Sequence, residues 1–228
     1  MSELAMSFSR LNTFEQCEAK FDYLYVSKVV KDEFGEASAY GDRVHKTLEA
    51  YGKREIDTDN LTLEQSQTVK RWGPLVDFLL AKTDGVVLFE EKLTVDNQLK
   101  QVDWYSKSAY IRAIVDLLII DGDTAYCFDY KTGKQKDDDT QLKLFAAMVM
   151  WVYPQVKTVK TAYLWLMTNK KTSALYTRKD LDKLWATLRK RFDKVAITVD
   201  AGYFQPTPSG LCGYCPAKKI CPDAKTRR

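Results

Sequence analysis

The chain has 228 residues, of which 45% are hydrophobic and 29% are charged, and its formal net charge is +4. This balance fits a folded protein with a sizeable core and excludes collagen-like, disordered and membrane-embedded classes. The mild positive charge permits a polyanionic partner without requiring one. The opening "MSELAMSFSR" lacks the apolar core of a secretory signal, and "LFAAMVMWVY" is too short to span a bilayer, so we expect a cytoplasmic protein that does not enter a membrane.

Three helices are predicted in the first part of the chain. Ser9 is a candidate cap for the first helix. The second helix covers "GDRVHKTLEAYGK", where Val44, Leu48 and Tyr51 share one face. The third covers "LEQSQTVKRWGPLVDFLLAK".

The hydrophobic pattern then changes to that of β-strands. Three consecutive strands are predicted in "GVVLFEEKLTVD", "SAYIRAIVDLLIIDG" and "TAYCFDYKTG", with a tight hairpin at Gly122. A helix in "DDDTQLKLFAAMVMWVYP", ended by Pro154, and a strand in "TVKTAYLWLMT" complete a crossover, and an amphipathic helix and an irregular tail follow. This order predicts an α/β fold with a mixed sheet flanked by helices.

Charged side chains mark the centre of this predicted sheet. Asp129 and Lys131 are two residues apart, so they project from the same face of an extended strand. Asp116 interrupts the apolar strand before the hairpin, which places it beside the strand of Asp129. Two adjacent buried acids are tolerable when a divalent cation lies between them, and oxygen ligands suit Mg²⁺, Mn²⁺ or Ca²⁺. The alternative is a structural ion-pair network.

Two further polar residues are candidates for the same site. His45 is the sole histidine, and it shares a helix face with Glu49, one turn later. A lone helical histidine is more often packed or solvated than a ligand. Gln141 opens the helix after the Asp129 strand, where it can reach a phosphate or a water, or serve only as a capping residue.

Four of the five cysteines lie near the ends of the chain. Cys212, Cys215 and Cys221 follow the pattern CxxCx5C, and Cys17 offers a fourth thiol from the other end. Four thiolates suit either a tetrahedral Zn²⁺ or an iron–sulfur cluster, and spacing alone favours zinc. Cys127 is interpreted as a small core residue.

The ordered motifs "SFSRLNTFEQC", "GDRVHKTLEAY", "IRAIVDLL", "FDYKTGK", "QLKLF" and the terminal cysteines resemble the PD-(D/E)xK nucleases of the RecB and Cas4 branch. The resemblance covers nearly the whole chain. It implies a restriction-endonuclease-like mixed sheet flanked by helices, with an iron–sulfur-stapled tail. It also implies a single nuclease domain over 1–228, with an N-terminal helical segment at 1–35, a nuclease core at 40–200 and a cysteine-rich tail at 201–228.

The resemblance also assigns roles to individual residues. The implied ligands of Mg²⁺ or Mn²⁺ are His45, Asp116, Asp129 and the backbone carbonyl of Tyr130. The implied catalytic residues are Asp116, Asp129, Lys131 and Gln141, the last in a QxxxY-like motif that ends at Phe145. The resemblance favours a 4Fe–4S cluster, with Zn²⁺ as the alternative, at Cys17, Cys212, Cys215 and Cys221. Ala113, where the family often has glycine, and Glu18, where it often has proline, depart from the pattern.

These features predict a metal-dependent DNA nuclease, most simply an exonuclease acting on single strands or duplex ends in recombination, repair or phage DNA metabolism. A protein partner in such a complex is expected. A Cas4-type CRISPR adaptation nuclease is a narrower form of the same hypothesis. The competing hypotheses are a catalytically idle nucleic-acid-binding module and a zinc-stapled RNA-binding protein.

Overall fold

Five β-strands form one sheet in the computed structural model, which describes residues 4–32 and 35–225. In chain order, the strands are β1 (Val86–Val95), β2 (Ile111–Asp121), β3 (Thr124–Lys131), β4 (Thr158–Trp165) and β5 (Lys170–Thr177). Their order across the sheet is the same as their order along the chain. β3 is antiparallel to β2 and parallel to β4, while β4 is antiparallel to β5. The predicted mixed sheet is therefore confirmed.

The hairpin and the crossover set the positions of the charged side chains. β2 and β3 are joined at Gly122, whose φ of 58° lies in the left-handed region that favours glycine. The helix α5 (Thr140–Val152) connects β3 to β4, and their pairing ends with Lys131 opposite Trp165. Most of α5 is buried, as expected for a helix that is apolar on nearly every face.

Two helices cover the other face of β3. They are α3 (Glu36–Gly52) and α4 (Leu63–Leu80), as the sequence pattern predicts. A buried apolar cluster joins these helices to the sheet and contains Val44, Leu48, Trp72, Val76, Tyr130, Ala162, Leu164 and Leu166. No helix within the described residues has both the length and the apolarity that a membrane span requires.

The chain folds into two compact units that are built from interleaved segments. Unit 1 comprises Met1–Glu33, Thr94–Arg112 and Trp185–Arg228, and unit 2 comprises Phe34–Leu93 and Ala113–Leu184. The end of β1, the start of β2 and most of the long helix α6 (Leu181–Ala201) therefore belong to unit 1. The single domain over 1–228, with its subdivisions at 1–35, 40–200 and 201–228, stays a prediction.

Unit 1 brings the first and last segments of the chain into contact. Its N-terminal segment forms the short helices α1 (Phe8–Gln16) and α2 (Glu18–Phe21). Arg191 of α6 forms an ion pair with Glu15 at 2.6 Å, and Lys194 forms one with Glu18 at 3.2 Å. Ion pairs between α6 and the N-terminal helices thus hold these two segments of unit 1 together.

A helix cap and one strand differ from the predictions. The cap of α1 is Ser7, because its side-chain oxygen accepts a hydrogen bond from the backbone N–H of Arg10, whereas Ser9 already lies inside the helix. The strand β5 is not predicted from the sequence. Its exposure alternates between exposed and half-buried residues, which is the weak pattern of a strand at a sheet edge.

Candidate active site

Asp129, Lys131 and Gln141 form a closed set of polar contacts at the end of β3. The Lys131 ammonium lies 2.6 Å from Oδ2 of Asp129 and donates a hydrogen bond to Oε1 of Gln141 at 2.9 Å. The Gln141 amide in turn donates to Oδ1 of Asp129 at 2.8 Å. Asp129 is 2% exposed, whereas Lys131 is half-buried. The first turn of α5 therefore fixes the acid and the base relative to each other.

Asp116 and His45 approach this set from the neighbouring strand and from α3. Oδ2 of Asp116 accepts a hydrogen bond from the backbone N–H of Tyr130 at 2.7 Å. The same oxygen lies 3.3 Å from Nδ1 of His45. The hairpin thus places Asp116 beside β3, and the helix face of His45 points toward it. A ligand role for the Tyr130 carbonyl stays a prediction.

Glu90, which residue type does not distinguish from its neighbour Glu91, completes a group of possible metal ligands. His45, Glu90 and Asp116 each offer a ligand atom, and these atoms all lie within 4.8 Å of one another. Glu90 has a φ of 51°, a left-handed conformation that is uncommon for a side-chain-bearing residue and is enriched at functional sites.

Two other glutamates, Glu49 and Glu91, make their contacts outside this group. Glu49 forms an ion pair with Lys53 at 2.7 Å, and Glu91 accepts a hydrogen bond from the Tyr153 hydroxyl at 2.7 Å. The geometry separates Glu90 from the other two, although all three are indistinguishable by residue type.

The buried acids disfavour one another's ionised forms. Burial, followed by the charge of Asp116, raises the pKa of Asp129 to about 6, although Lys131 acts in the opposite direction. The same two causes raise the pKa of Glu90 to about 7. Burial opposes protonation of His45, but its hydrogen bond to Asp116 and the negative charge there outweigh burial and raise its pKa to about 9. The site therefore has an excess of negative charge, which a cation would relieve.

The residues present fit a divalent metal ion. Oδ2 of Asp129 is buried beside the Lys131 ammonium, but that one cation faces a cluster of acids that also includes Asp116 and Glu90. A buried carboxylate is costly unless a cation or a donor compensates it. Carboxylates with one imidazole are also a donor set that Mn²⁺ and related divalent ions accept.

The four terminal cysteines line one small cavity in unit 1. The thiols of Cys17, Cys212, Cys215 and Cys221 are half-buried and unpaired by disulfides. Backbone N–H groups of Thr207 and Ser209 donate to the sulfur atoms of Cys17 and Cys212, at 3.4 and 3.3 Å. Cys127 lies elsewhere, fully buried on β3, where burial raises the pKa of its thiol, in keeping with its interpretation as a core residue.

Comparisons with known proteins agree with this geometry. The chain is 30% identical to the Gene 69 protein of Mycobacterium phage L5 over 117 residues, 49% of this chain and 39% of that protein. It is 30% identical to the Gene 69 protein of Mycobacterium phage D29 over 178 residues, 75% of this chain and 62% of that protein. The chain thus spans less than two thirds of the length of either relative.

A solved structure and a family profile cover almost the whole chain. The crystal structure of a proposed exonuclease from Eubacterium rectale superposes with a TM-score of 0.58 at 12% identity, covering 99% of this chain and 89% of the other, which is a likeness of fold. Residues 5–222 match the sequence profile of the PD-(D/E)XK nuclease superfamily, whose members use divalent metals. With two acids and a lysine meeting at the end of a central strand, this chain belongs to the PD-(D/E)XK nuclease superfamily.

Proposed function

We propose that the chain is a divalent-metal-dependent deoxyribonuclease, and specifically an exonuclease of the RecB and Cas4 branch. The observation that carries the proposal is the convergence of Asp116, Asp129 and Lys131 on one point beside His45 and Glu90. A structural ion-pair network would pair each acid with a cation, whereas Glu90 forms no ion pair with any described residue, and burial and the charge of Asp116 raise its pKa.

Each residue has a distinct task in this proposal. His45, Glu90, Asp116 and Asp129 hold the cation, and Mg²⁺ or Mn²⁺ bound there would supply a Lewis acid for the phosphodiester and a water of lowered pKa. Lys131 orients the attacking water and offsets negative charge on the phosphate oxygens. Gln141 touches both Asp129 and Lys131, so it holds the ammonium in place and orients the carboxylate.

We propose that the chain acts in phage DNA metabolism, because both relatives come from mycobacteriophages. Recombination, repair and CRISPR adaptation are the alternatives within the nuclease class. Single-stranded DNA or duplex ends are the proposed substrates, with a protein partner in the processing complex. A catalytically idle binding module is the second candidate, but the chain retains both acids and the lysine, which an idle module does not need.

The test is cleavage of end-labelled single-stranded and duplex DNA, and of RNA of the same sequence, with and without Mn²⁺. We expect DNA cleavage that requires the metal and proceeds from an end. Asp129→Ala should lower the rate on the order of 10²-fold or more while DNA binding in EDTA persists. The matched control is Asp123→Ala, which removes an exposed carboxylate at the β2–β3 turn. Wild-type cleavage by Asp129→Ala, or cleavage without metal, would contradict the proposal.

His45 can be tested through binding as well as activity. His45→Ala should weaken Mn²⁺ binding in calorimetry, since one of the grouped ligand atoms is lost. Equal Mn²⁺ affinity for the wild type and the variant would return His45 to a purely structural role.

We also propose that the four terminal cysteines hold a 4Fe–4S cluster. The four cysteines line one small cavity, so their thiols are placed to share one centre, as a cluster held by four thiolates requires.

Anaerobically purified protein should then be brown and should contain iron and sulfide. Cys17→Ala should bleach it and make the tail sensitive to protease, because metal binding and order of the ligand segment are coupled. Cys127→Ala is the control and should do neither. Colourless protein that carries one zinc per chain would refute the cluster.

A further inference from the structure

A cleft at the β4–β5 hairpin lies next to the candidate active site and has no role so far. It has a volume of about 320 Å³ and belongs entirely to unit 2. One wall comes from α4, through Arg71, Trp72 and Leu75, and the other comes from the end of β4 and the start of β5. We call it the hairpin cleft.

The hairpin cleft is connected directly to the strand of Lys131. Trp165, which lines the cleft, pairs with Lys131 across the parallel strands. The next cleft residue, Leu166, donates its backbone N–H to the carbonyl of Lys131 at 2.9 Å. Adjacent strands lie about 4.8 Å apart, so the floor of the cleft begins one strand away from the proposed reaction centre.

The charge of the hairpin cleft is entirely positive. Arg71, Lys170 and Lys171 line it, all three are exposed, and the lining includes no carboxylate. None of the three forms an ion pair with any residue of 4–32 or 35–225. By contrast, Arg43 and Lys53 on the neighbouring helix both pair with glutamates.

Hydrogen bonds within the protein hold the walls that carry these cations. The indole N–H of Trp72 donates to the carbonyl of Leu166 at 3.2 Å, and that of Trp165 donates to the hydroxyl of Thr172 at 2.9 Å. Arg71 lies over the ring of Trp72, 5.0 Å from its centroid. Because these hydrogen bonds already hold the walls of the cleft, a ligand that binds there loses little free energy to ordering them.

We propose that the hairpin cleft binds the sugar–phosphate backbone of a single substrate strand and guides that strand to the reaction centre. The proposal rests on the proposed nuclease function. Unpaired cations in a concave, carboxylate-free cleft match a polyanion, and Arg and Lys are the usual phosphate partners. The cleft is too small for a duplex, and both tryptophans are nearly fully buried, so contact is to phosphates rather than by base stacking.

The experiment compares two matched double variants. Lys170→Ala/Lys171→Ala removes two charges at the cleft, and Lys157→Ala/Lys160→Ala removes two charges at the opposite end of β4. Binding of a fluorescein-labelled single-stranded oligonucleotide, and of its duplex, is followed by anisotropy in EDTA at several salt concentrations. Thermal melting checks that each variant is folded, which the exposed positions of these lysines favour.

The cleft variant should bind the single strand on the order of tenfold more weakly at low salt, and its salt slope should fall by about 1.4, since each lost single-strand phosphate contact removes about 0.7. With Mn²⁺, its KM should rise while kcat is retained. The control variant should match the wild type. Equal losses in the two variants, an unchanged salt slope, or a loss confined to the duplex would overturn the proposal.

The outcomes separate this proposal from the nuclease assignment. If the cleft variant loses binding but the wild type cleaves nothing with Mg²⁺ or Mn²⁺, the strand site stands and the nuclease function fails. If the wild type cleaves DNA and the cleft variant behaves like it, the nuclease function stands and the strand site fails.

Discussion

An Asp129→Asn variant removes one negative charge from the interior with almost no change in side-chain shape. Burial, and then the charge of Asp116, raise the pKa of Asp129 from 3.8 to about 6. The asparagine amide imitates the protonated carboxyl, and its oxygen can still accept the hydrogen bond from Gln141. The half-buried Lys131 ammonium can turn toward water once its partner is neutral. The variant should therefore be more stable than the wild type and inactive.

The magnitude follows from the pKa shift. One pKa unit corresponds to about 1.4 kcal/mol, so ionisation of Asp129 lowers the free energy of unfolding by on the order of 3 kcal/mol. Because the folded pKa is raised, the folded protein binds more protons than the unfolded chain between pH 3.8 and about 6, and its stability falls as pH rises through that window. The variant escapes this loss, and at neutral pH its Tm should rise by roughly 6–12 °C.

The assay is thermal and urea unfolding of metal-free protein in EDTA, at neutral pH and at pH values lowered toward 3.8. The gain in stability of Asp129→Asn over the wild type should be largest at neutral pH and should shrink as the pH falls. Asp77→Asn is the matched control: hydrogen bonds from Tyr51 and then Arg54 lower the pKa of Asp77, so the same substitution there should destabilise the protein. An Asp129→Asn variant that is no more stable than the wild type at neutral pH would refute the reasoning.

Three further predictions concern the site and its supports. Glu90→Gln should weaken Mn²⁺ binding measured by calorimetry, and an unchanged affinity would remove Glu90 from the metal site. Gly85→Ala should destabilise the protein by about 1–3 kcal/mol in urea unfolding, because a Cβ there would lie 2.2 Å from the carbonyl oxygen of Ile120. Gly133→Ala is the control and should leave stability unchanged, because a Cβ at Gly133 has no neighbour within 4 Å. Thr62→Ala should cost about 1 kcal/mol in the same assay, because it removes the capping box at the start of α4; no loss would show that the cap is replaced by water.

The central strands were predictable because their signals are strong and local. The Gly122 hairpin joins two apolar strands, and the period-two spacing of Asp129 and Lys131 puts both on one face whatever the surrounding fold. The same logic brings Asp116 beside β3. These features depend on chain geometry over a few residues, so the sequence specifies them before any tertiary contact is known.

The position of Glu90 in the site and the strand β5 could not be predicted, because both depend on tertiary contacts rather than on local signals. Glu90 stands beside Glu91, and successive side chains of a strand project to opposite faces. Tertiary packing decides which of the two reaches His45 and which bonds to Tyr153, and no local pattern reports that packing. β5 is half-exposed along its length, so its pairing with β4 rather than its composition makes it a strand.

The interleaving of the two units has a consequence for the order in which the protein can form. Unit 1 needs residues from both ends of the sequence, including Glu15 and its partner Arg191. About two hundred residues separate Cys17 from Cys212, and at translation rates of roughly 5–20 residues per second the first thiol waits about 10–40 s for its companions. Unit 2 is already synthesised by then, so the first segment waits without its partner segment, and the proposed cluster can form only after the last cysteines are made.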